Sequence, residues 1–109
     1  MSEQESILQV VKISTALSNK PLFVRISDGN MSIDHISMEA IAMLRNSGKP
    51  LEAQQLEDLF KEHQIFNNGK VVQKGNLFAE LEKKIQLVGN QSVQVAELDL
   101  ISSHHGGAE

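Results

Sequence analysis

Oxygen-bearing side chains fall at alternate positions in Asp28-Gly29-Asn30-Met31-Ser32-Ile33-Asp34, and Glu39 stands twelfth in the same window. Ligands at positions 1, 3, 5, 7 and 12 are what a calcium-binding loop supplies. Such a loop turns sharply at its sixth position, which takes Gly, and here that position is Ile33. Shifting the frame by two puts Ile26 first and Ser37 last, which loses both key ligands. A second window, Gln64 to Gly75, places Phe66 at a ligand position. A β-turn followed by a helix cap explains the first window better. The histidines are His35, His63, His104 and His105. His63 lies on an apolar stripe and reads as a packed side chain. His104 and His105 are adjacent but have no third ligand placed beside them. Asp34-His35 with nearby serines suggests an acyl-transfer triad, yet the residues crowd into one short segment with no nucleophile elbow. Gly69 to Gly75 lacks the spacing of a phosphate-binding loop. We therefore expect no enzyme, no metal site, no cofactor and no small-molecule substrate, but a module that works by binding.

Composition agrees with a small globular domain. The chain has 109 residues, 40% of them hydrophobic and 22% charged, enough for one modest core. With four Phe and neither Tyr nor Trp, that core must be built from Leu, Ile, Val and Met. No apolar run approaches the ~20 residues needed to span a bilayer. The first residues, MSEQESILQVV, are acidic and polar, unlike a secretory signal, and there is no cysteine. Together these point to a reducing cytoplasm. Ten Lys and Arg stand against fourteen Asp and Glu, which argues against a dominant electrostatic grip on nucleic acid. Charge is uneven, however: Lys70, Lys74, Lys83 and Lys84 meet only Glu80 and Glu82 between residues 70 and 84.

The elements can be read from periodicity and caps. Ser2-Glu3-Gln4-Glu5 forms a capping box, and Ile7, Val10, Val11 and Leu17 recur at helical spacing, so the expectation is an N-terminal helix ending at Asn19-Lys20-Pro21. Leu22 to Ile26 reads as a strand, Asp28-Gly29-Asn30 as a turn, and Met31 to Ile33 as a candidate return strand. Ser37 can cap a helix carrying Ala40, Ile41 and Leu44, with Gly48 stopping it. Pro50 then opens a second helix, to about Gln64, with Leu56, Leu59, Phe60 and His63 on one stripe. Asn67-Asn68-Gly69 breaks the chain. Asn76 can cap a third helix with Leu77, Phe78, Leu81 and Ile85 facing inward. Val88 to Val93 reads as a hairpin turn, and Val93, Val95, Leu98 and Leu100 as a strand with one shift in phase.

Helix, tight turn, helix, loop, helix and hairpin is the order of a winged helix-turn-helix. The stretch Ser37-Met-Glu-Ala-Ile-Ala-Met-Leu-Arg-Asn-Ser-Gly-Lys-Pro-Leu51 resembles the opening of the HARE-HTH family of winged helices, in which an apolar helix closes on a Gly-Lys-Pro-Leu turn. The similarity runs on through Leu56-Glu-Asp-Leu-Phe60, Gln64-Ile-Phe66, Gly69 and Leu77-Phe-Ala-Glu-Leu81. The resemblance implies a chromatin- or transcription-associated binding module, with the third helix in the major groove. On this sequence a DNA role would rest on Lys70, Lys74, Lys83 and Lys84, with Asn76, Gln86 and Gln91 as hydrogen-bonders. Glu80 and Glu82 would approach phosphates, and Gln86 to Val95 holds no Lys or Arg. An acidic winged helix equally suits a protein-interaction adaptor.

The expected fold is thus α+β: a winged-helix-like three-helix core with a C-terminal β-hairpin over residues 36–101, preceded by an N-terminal helix and short strand in residues 1–35 and followed by a loose tail, 102–109. The expected partner is DNA or a protein. The N-terminal helix, apolar over more than half its circumference, is also a candidate for homodimerisation.

Overall fold

β-branched residues crowd the segment Leu8-Gln-Val-Val-Lys-Ile-Ser-Thr15, and it folds as a strand, β1 (Leu8–Thr15). This is seen in a computed structural model, which describes residues 7–16 and 18–101, the side chain of Ile101 excepted. Val11 and Ile13, two residues apart, are buried on one face of β1. Leu8, Val10 and Lys12 alternate onto the other face and are half-buried. β2 (Leu22–Ile26) returns antiparallel, pairing Val11 with Val24. Two helices follow, α1 (Ile33–Asn46) and α2 (Pro50–Glu62), then the short strands β3 (Gln64–Asn67) and β4 (Lys70–Val72). A single 3-10 turn at Phe78–Glu80 leads to β5 (Lys84–Val88) and the long β6 (Gln91–Ile101).

All six strands join one sheet in the order β2-β1-β6-β3-β4, with β5 also on β6. β6 is the hub. β1 runs parallel to it from Leu8↔Val93 to Thr15↔Leu100 and so occupies one whole edge. The opposite edge of β6 is shared, β5 pairing with Gln91 to Val95 and β3 with Asp99 to Ile101. The helices cover one face. Ile33, Ile36, Ala40 and Ile41 of α1 and Ala53, Leu56 and Phe60 of α2 bury against Val11, Ile13, Val24, Ile26, Ala96, Leu98 and Leu100. Each large side chain so buried stabilises the fold by about 1.5–3 kcal/mol over its exposed state. The other, more open face carries Phe23, Lys12, Glu97, Phe66 and Val71, with Val93 and Val95 buried on it near the hairpin.

Local chemistry explains the turns. Ser32 caps α1, its hydroxyl accepting the His35 N–H at 3.1 Å. Backbone carbonyls of Asn76 and Lys74 accept the N–H groups of Ile33 and Asp34 at 2.8 and 2.9 Å, so the first turn of α1 is docked on the loop before the 3-10 turn. Gly48, at φ +76°, closes α1: its own N–H bonds the Arg45 carbonyl and the Lys49 N–H bonds that of Leu44. Asn68 and Gly69 both take positive φ, 54° and 82°, the signature of a two-residue hairpin turn, which joins β3 to β4.

This architecture corrects the sequence reading. The described residues form no three-helix winged core; they are α+β, with two α-helices on a six-stranded sheet. The expected N-terminal helix is β1, because its apolar residues serve both faces of a central strand and so blur the period of two. The dimer helix is therefore absent from residues 7–16, while the capping box at residues 2–5 lies outside the described residues, as does the tail 102–109. Within the expected N-terminal extension, residues 8–15 and 22–26 form a central strand and its neighbour in the common sheet. The expected third helix from Asn76 is the 3-10 turn followed by β5; Phe78 and Leu81 are buried at a spacing of three, but Ile85 is exposed. α1 starts five residues before the predicted Ser37 cap (37 − 32 from Ser32), and Ser37 is buried within it, donating to the Asp34 carbonyl at 2.7 Å. Met31 to Ile33 forms no strand, only an isolated bridge between Ser32 and Leu77. The phase change on β6 is no bulge. Its register with β1 is continuous, and the buried side simply switches from Val93 and Val95 on the open face to Ala96, Leu98 and Leu100 under the helices.

Candidate functional site

Residues of alternating or β-branched type, Lys84-Ile-Gln-Leu-Val88, leave the 3-10 turn as β5, and Gly89 at φ +65° folds the chain back through a two-residue turn onto Gln91. Among the described residues β5 pairs only with β6. All five of its residues are exposed, Ile85 by 57%, Leu87 by 74% and Val88 by 61%. Ile85 and Leu87 face the helix side, with Gln94 and Ser92 opposite them; Lys84, Gln86 and Val88 face the open side beside Val95, Val93 and Gln91. A two-residue hairpin turn closes on a hydrogen-bonded pair, here Val88 and Gln91, so Val88, Gln86 and Lys84 direct their backbone groups to β6. The N–H and C=O groups of Ile85 and Leu87 therefore point outward along an unoccupied edge. Such an edge is a template for another strand.

The root of β5 is firmly held. The Lys83 ammonium donates to the carbonyls of Phe78, Ala79 and Leu81 at 3.2, 3.2 and 2.8 Å and sits 5.0 Å from the centre of the Phe78 ring. Asn67, buried at the end of β3, accepts the Glu82 N–H at 2.7 Å and donates to the carbonyls of Glu82 and Glu97 at 3.2 and 3.0 Å. Its amide thus bridges the gap that β5 and β3 leave along β6. Around it, Lys70 pairs with Glu82 at 3.2 Å, and Asn68 donates to the same carboxylate. The Asn68 hydrogen bond first, then the Lys70 ammonium, hold Glu82 below the usual carboxylate range. On the open face, desolvation and then repulsion from Glu97 push Asp99 up, with Lys12 opposing them.

The residues singled out for nucleic acid divide into three groups. Lys70, Lys83 and Lys84 gather around Glu82, whereas Gln86 lies further along β5 on the face of Lys84, with exposed Gln91 opposite Val88 across the hairpin. Lys74 and Asn76 sit on the loop that docks α1, away from the hairpin. The Asn76 side chain accepts from Gln73 N–H at 2.7 Å and donates to Glu80 at 2.9 Å. The oxygen-rich window at Asp28 to Asp34 is a turn, Asp28 accepting the Asn30 N–H, followed by the Ser32 cap. Among the described residues no group of three His, Asp or Glu side chains could hold a metal ion, and no helix is long and apolar enough to cross a membrane.

A cleft of about 620 Å³ opens between the end of β1 and the helix pair. Apolar Ile13, Leu22 and Leu56 and charged Lys20, Lys49 and Glu52 are among its lining residues. Its serine, Ser18, accepts the Lys20 backbone N–H, and no histidine is among the described residues that line it. Leu17, next to it in the chain, lies outside the described residues.

Sequence reasoning found the hairpin turn at Gly89 but missed the edge, since Ile85 was read as the inward face of a helix. The available signal was strict alternation across Lys84 to Leu87 directly before a Gly-Asn turn. Comparison with protein-family models, with curated proteins and with solved structures finds no match.

Proposed function

We propose that this chain is a non-enzymatic protein-interaction module that takes up an extended partner strand along β5. The observation that carries this reading is an edge strand exposed at every position, three of its five side chains being large and apolar. Natural edge strands are usually protected by charge, proline or a covering element. β5 has one charge, Lys84, at its root, and no described element over it. Main-chain hydrogen bonds would supply affinity, and the side chains alternating along each face would supply selectivity. The absence of cysteine suits work in a reducing compartment such as the cytoplasm.

Nucleic-acid-associated regulation has weaker support. Lys70 is paired with Glu82, Lys83 is engaged by three carbonyls, and the Asn76 amide is held by Gln73 and Glu80. That leaves Lys74, Lys84, Gln86 and Gln91 on an acidic chain. The two readings separate in one amide-resolved NMR experiment. An alternating valine–threonine heptapeptide should shift the amides of Ile85 and Leu87, and its N-methylated counterpart should not. A generic DNA duplex at low salt should leave both unmoved. Shifts confined to Lys74 and Lys84 on adding duplex, with none from the peptide, would overturn the edge reading.

A further inference from the structure

The sequence of β5 is compatible with itself when read in reverse. Two copies related by a two-fold axis normal to the sheet keep each residue on its own face, so only same-face residues meet and the register is restricted to alternate settings. The setting centred on Gln86 overlaps all five residues of β5. Ile85 then stands opposite Leu87 of the second copy, and Leu87 opposite its Ile85, making one four-residue apolar cluster on the helix side. On the open side Gln86 meets Gln86, and the aliphatic stem of Lys84 lies on Val88. No like charges face one another, because the two Lys84 residues sit at opposite ends of the ladder. Ile85 and Leu87 are also the residues whose backbone groups point outward, so the apolar pairs and the hydrogen-bonded pairs coincide. The neighbouring settings leave one end of β5 unpaired: centring on Ile85 brings Val88 against Glu82, and centring on Leu87 brings Ile85 against Gly89.

We infer that β5 pairs antiparallel with β5 of a second copy of this chain, in the register centred on Gln86, fusing two six-stranded sheets into one. The inference rests on β5 being a partner-binding edge and names the partner. A five-residue ladder is smaller than a standard interface, so the dimer should exchange with monomer at concentrations on the order of micromolar.

Native chain with no cysteine makes the register directly readable. Gln86 faces its own copy in a non-hydrogen-bonded pair, where Cα atoms lie about 4.5 Å apart, within disulfide range. Under mild oxidation Q86C should therefore form an intermolecular disulfide in the folded protein. V88C, also on an exposed strand position, should not, because the two copies of residue 88 are about 13 Å apart in this register. In sedimentation equilibrium the unmodified chain should show a monomer–dimer equilibrium. L87K, which places two lysines in the apolar cluster, should weaken it about tenfold or more. A chain that stays monomeric up to about 1 mM, far above the expected range, overturns the proposal, as does cross-linking of V88C equal to or greater than that of Q86C. If the chain is monomeric yet the valine–threonine peptide still shifts Ile85 and Leu87, the second copy is the wrong partner and the edge reading stands. If neither associates, both fall.

Discussion

The Asn67 side-chain amide donates to the Glu97 carbonyl at 3.0 Å, thirty residues on in the chain and at the one stretch of β6 where neither β3 nor β5 supplies a backbone partner. The same amide holds both the N–H and the C=O of Glu82. One buried side chain thus replaces a missing peptide group and fixes where β5 begins.

Substituting Asn67 should therefore be costly. Asn67→Ala leaves the Glu82 N–H and the Glu97 carbonyl without their partner in a part-buried setting, where each such group costs up to about 1–3 kcal/mol. We expect a loss of about 2–4 kcal/mol in urea unfolding. Asn67→Asp should be at least as harmful, because a carboxylate keeps the acceptor, loses both donations and adds a charge beside Glu82 and Glu97. A loss below about 0.5 kcal/mol, the range of ordinary surface changes, would mean that water replaces the amide.

Lys83 makes a second, separable prediction. Its ammonium ties down the carbonyls of the 3-10 turn and sits over the Phe78 ring. Lys83→Met keeps the stem and removes the donor, and should destabilise by about 1–2 kcal/mol. The more specific readout is hydrogen exchange: amides of β5 should open faster while those of α1 and α2 keep their protection. Uniform loss of protection would indicate a global rather than a local role.

How far these features could be read from the sequence depends on how local their causes are. The α1–α2 turn was legible because Gly48 and Pro50 act within a few residues of themselves, and the Leu22–Ile26 strand because its alternation is short and clean. β1 was not, since its two-sided apolar pattern reflects a position between β2 and β6, and its parallel partner starts at Val93. The Asn68-Gly69 turn is a strong hairpin signal. It was passed over because β3 and β4, four and three residues long, are too short to show a period of their own. Asn67 gives no sign at all in one dimension: its partners lie 15 and 30 residues away. The openness of β5 is likewise a fact about what the rest of the chain leaves uncovered.

The two hairpin turns should respond differently from surface glycines in general. Gly69 and Gly89 sit at φ +82° and +65°, where a Cβ is strained although neither has a neighbour within 4 Å of one. Gly69→Ala and Gly89→Ala should each cost about 1 kcal/mol through backbone strain alone. Gly75 is equally open but does not have a positive φ, so Gly75→Ala should be neutral or slightly stabilising. Thermal unfolding of the three variants side by side checks this, and equal effects at all three positions would refute the assignment to backbone conformation.

Asp99 supplies the pH dependence. It lies on the open face of β6, half-buried, and desolvation followed by the neighbouring Glu97 raises it above its ordinary value of 3.8, against the opposing pull of Lys12. A carboxyl raised in the folded state binds its proton more tightly there than in the unfolded chain. The associated stability is fully present below the unfolded value and is lost as pH rises through the folded one. At neutral pH the ionised group is thus a small liability, reduced by solvent screening because much of it remains in water. Asp99→Asn should raise Tm at pH 7 by about one to two degrees. The gain should shrink as pH falls through the folded value of Asp99 and vanish below pH 3.8. Lys12→Met, which removes the one opposing charge, should lower Tm at pH 7 and leave it unchanged at the acid end, provided Asp99 is present. The double variant with Asp99→Asn should show a smaller loss at pH 7 than Lys12→Met alone, and an equal loss would assign the Lys12 effect to Glu97, which it pairs with at 3.9 Å.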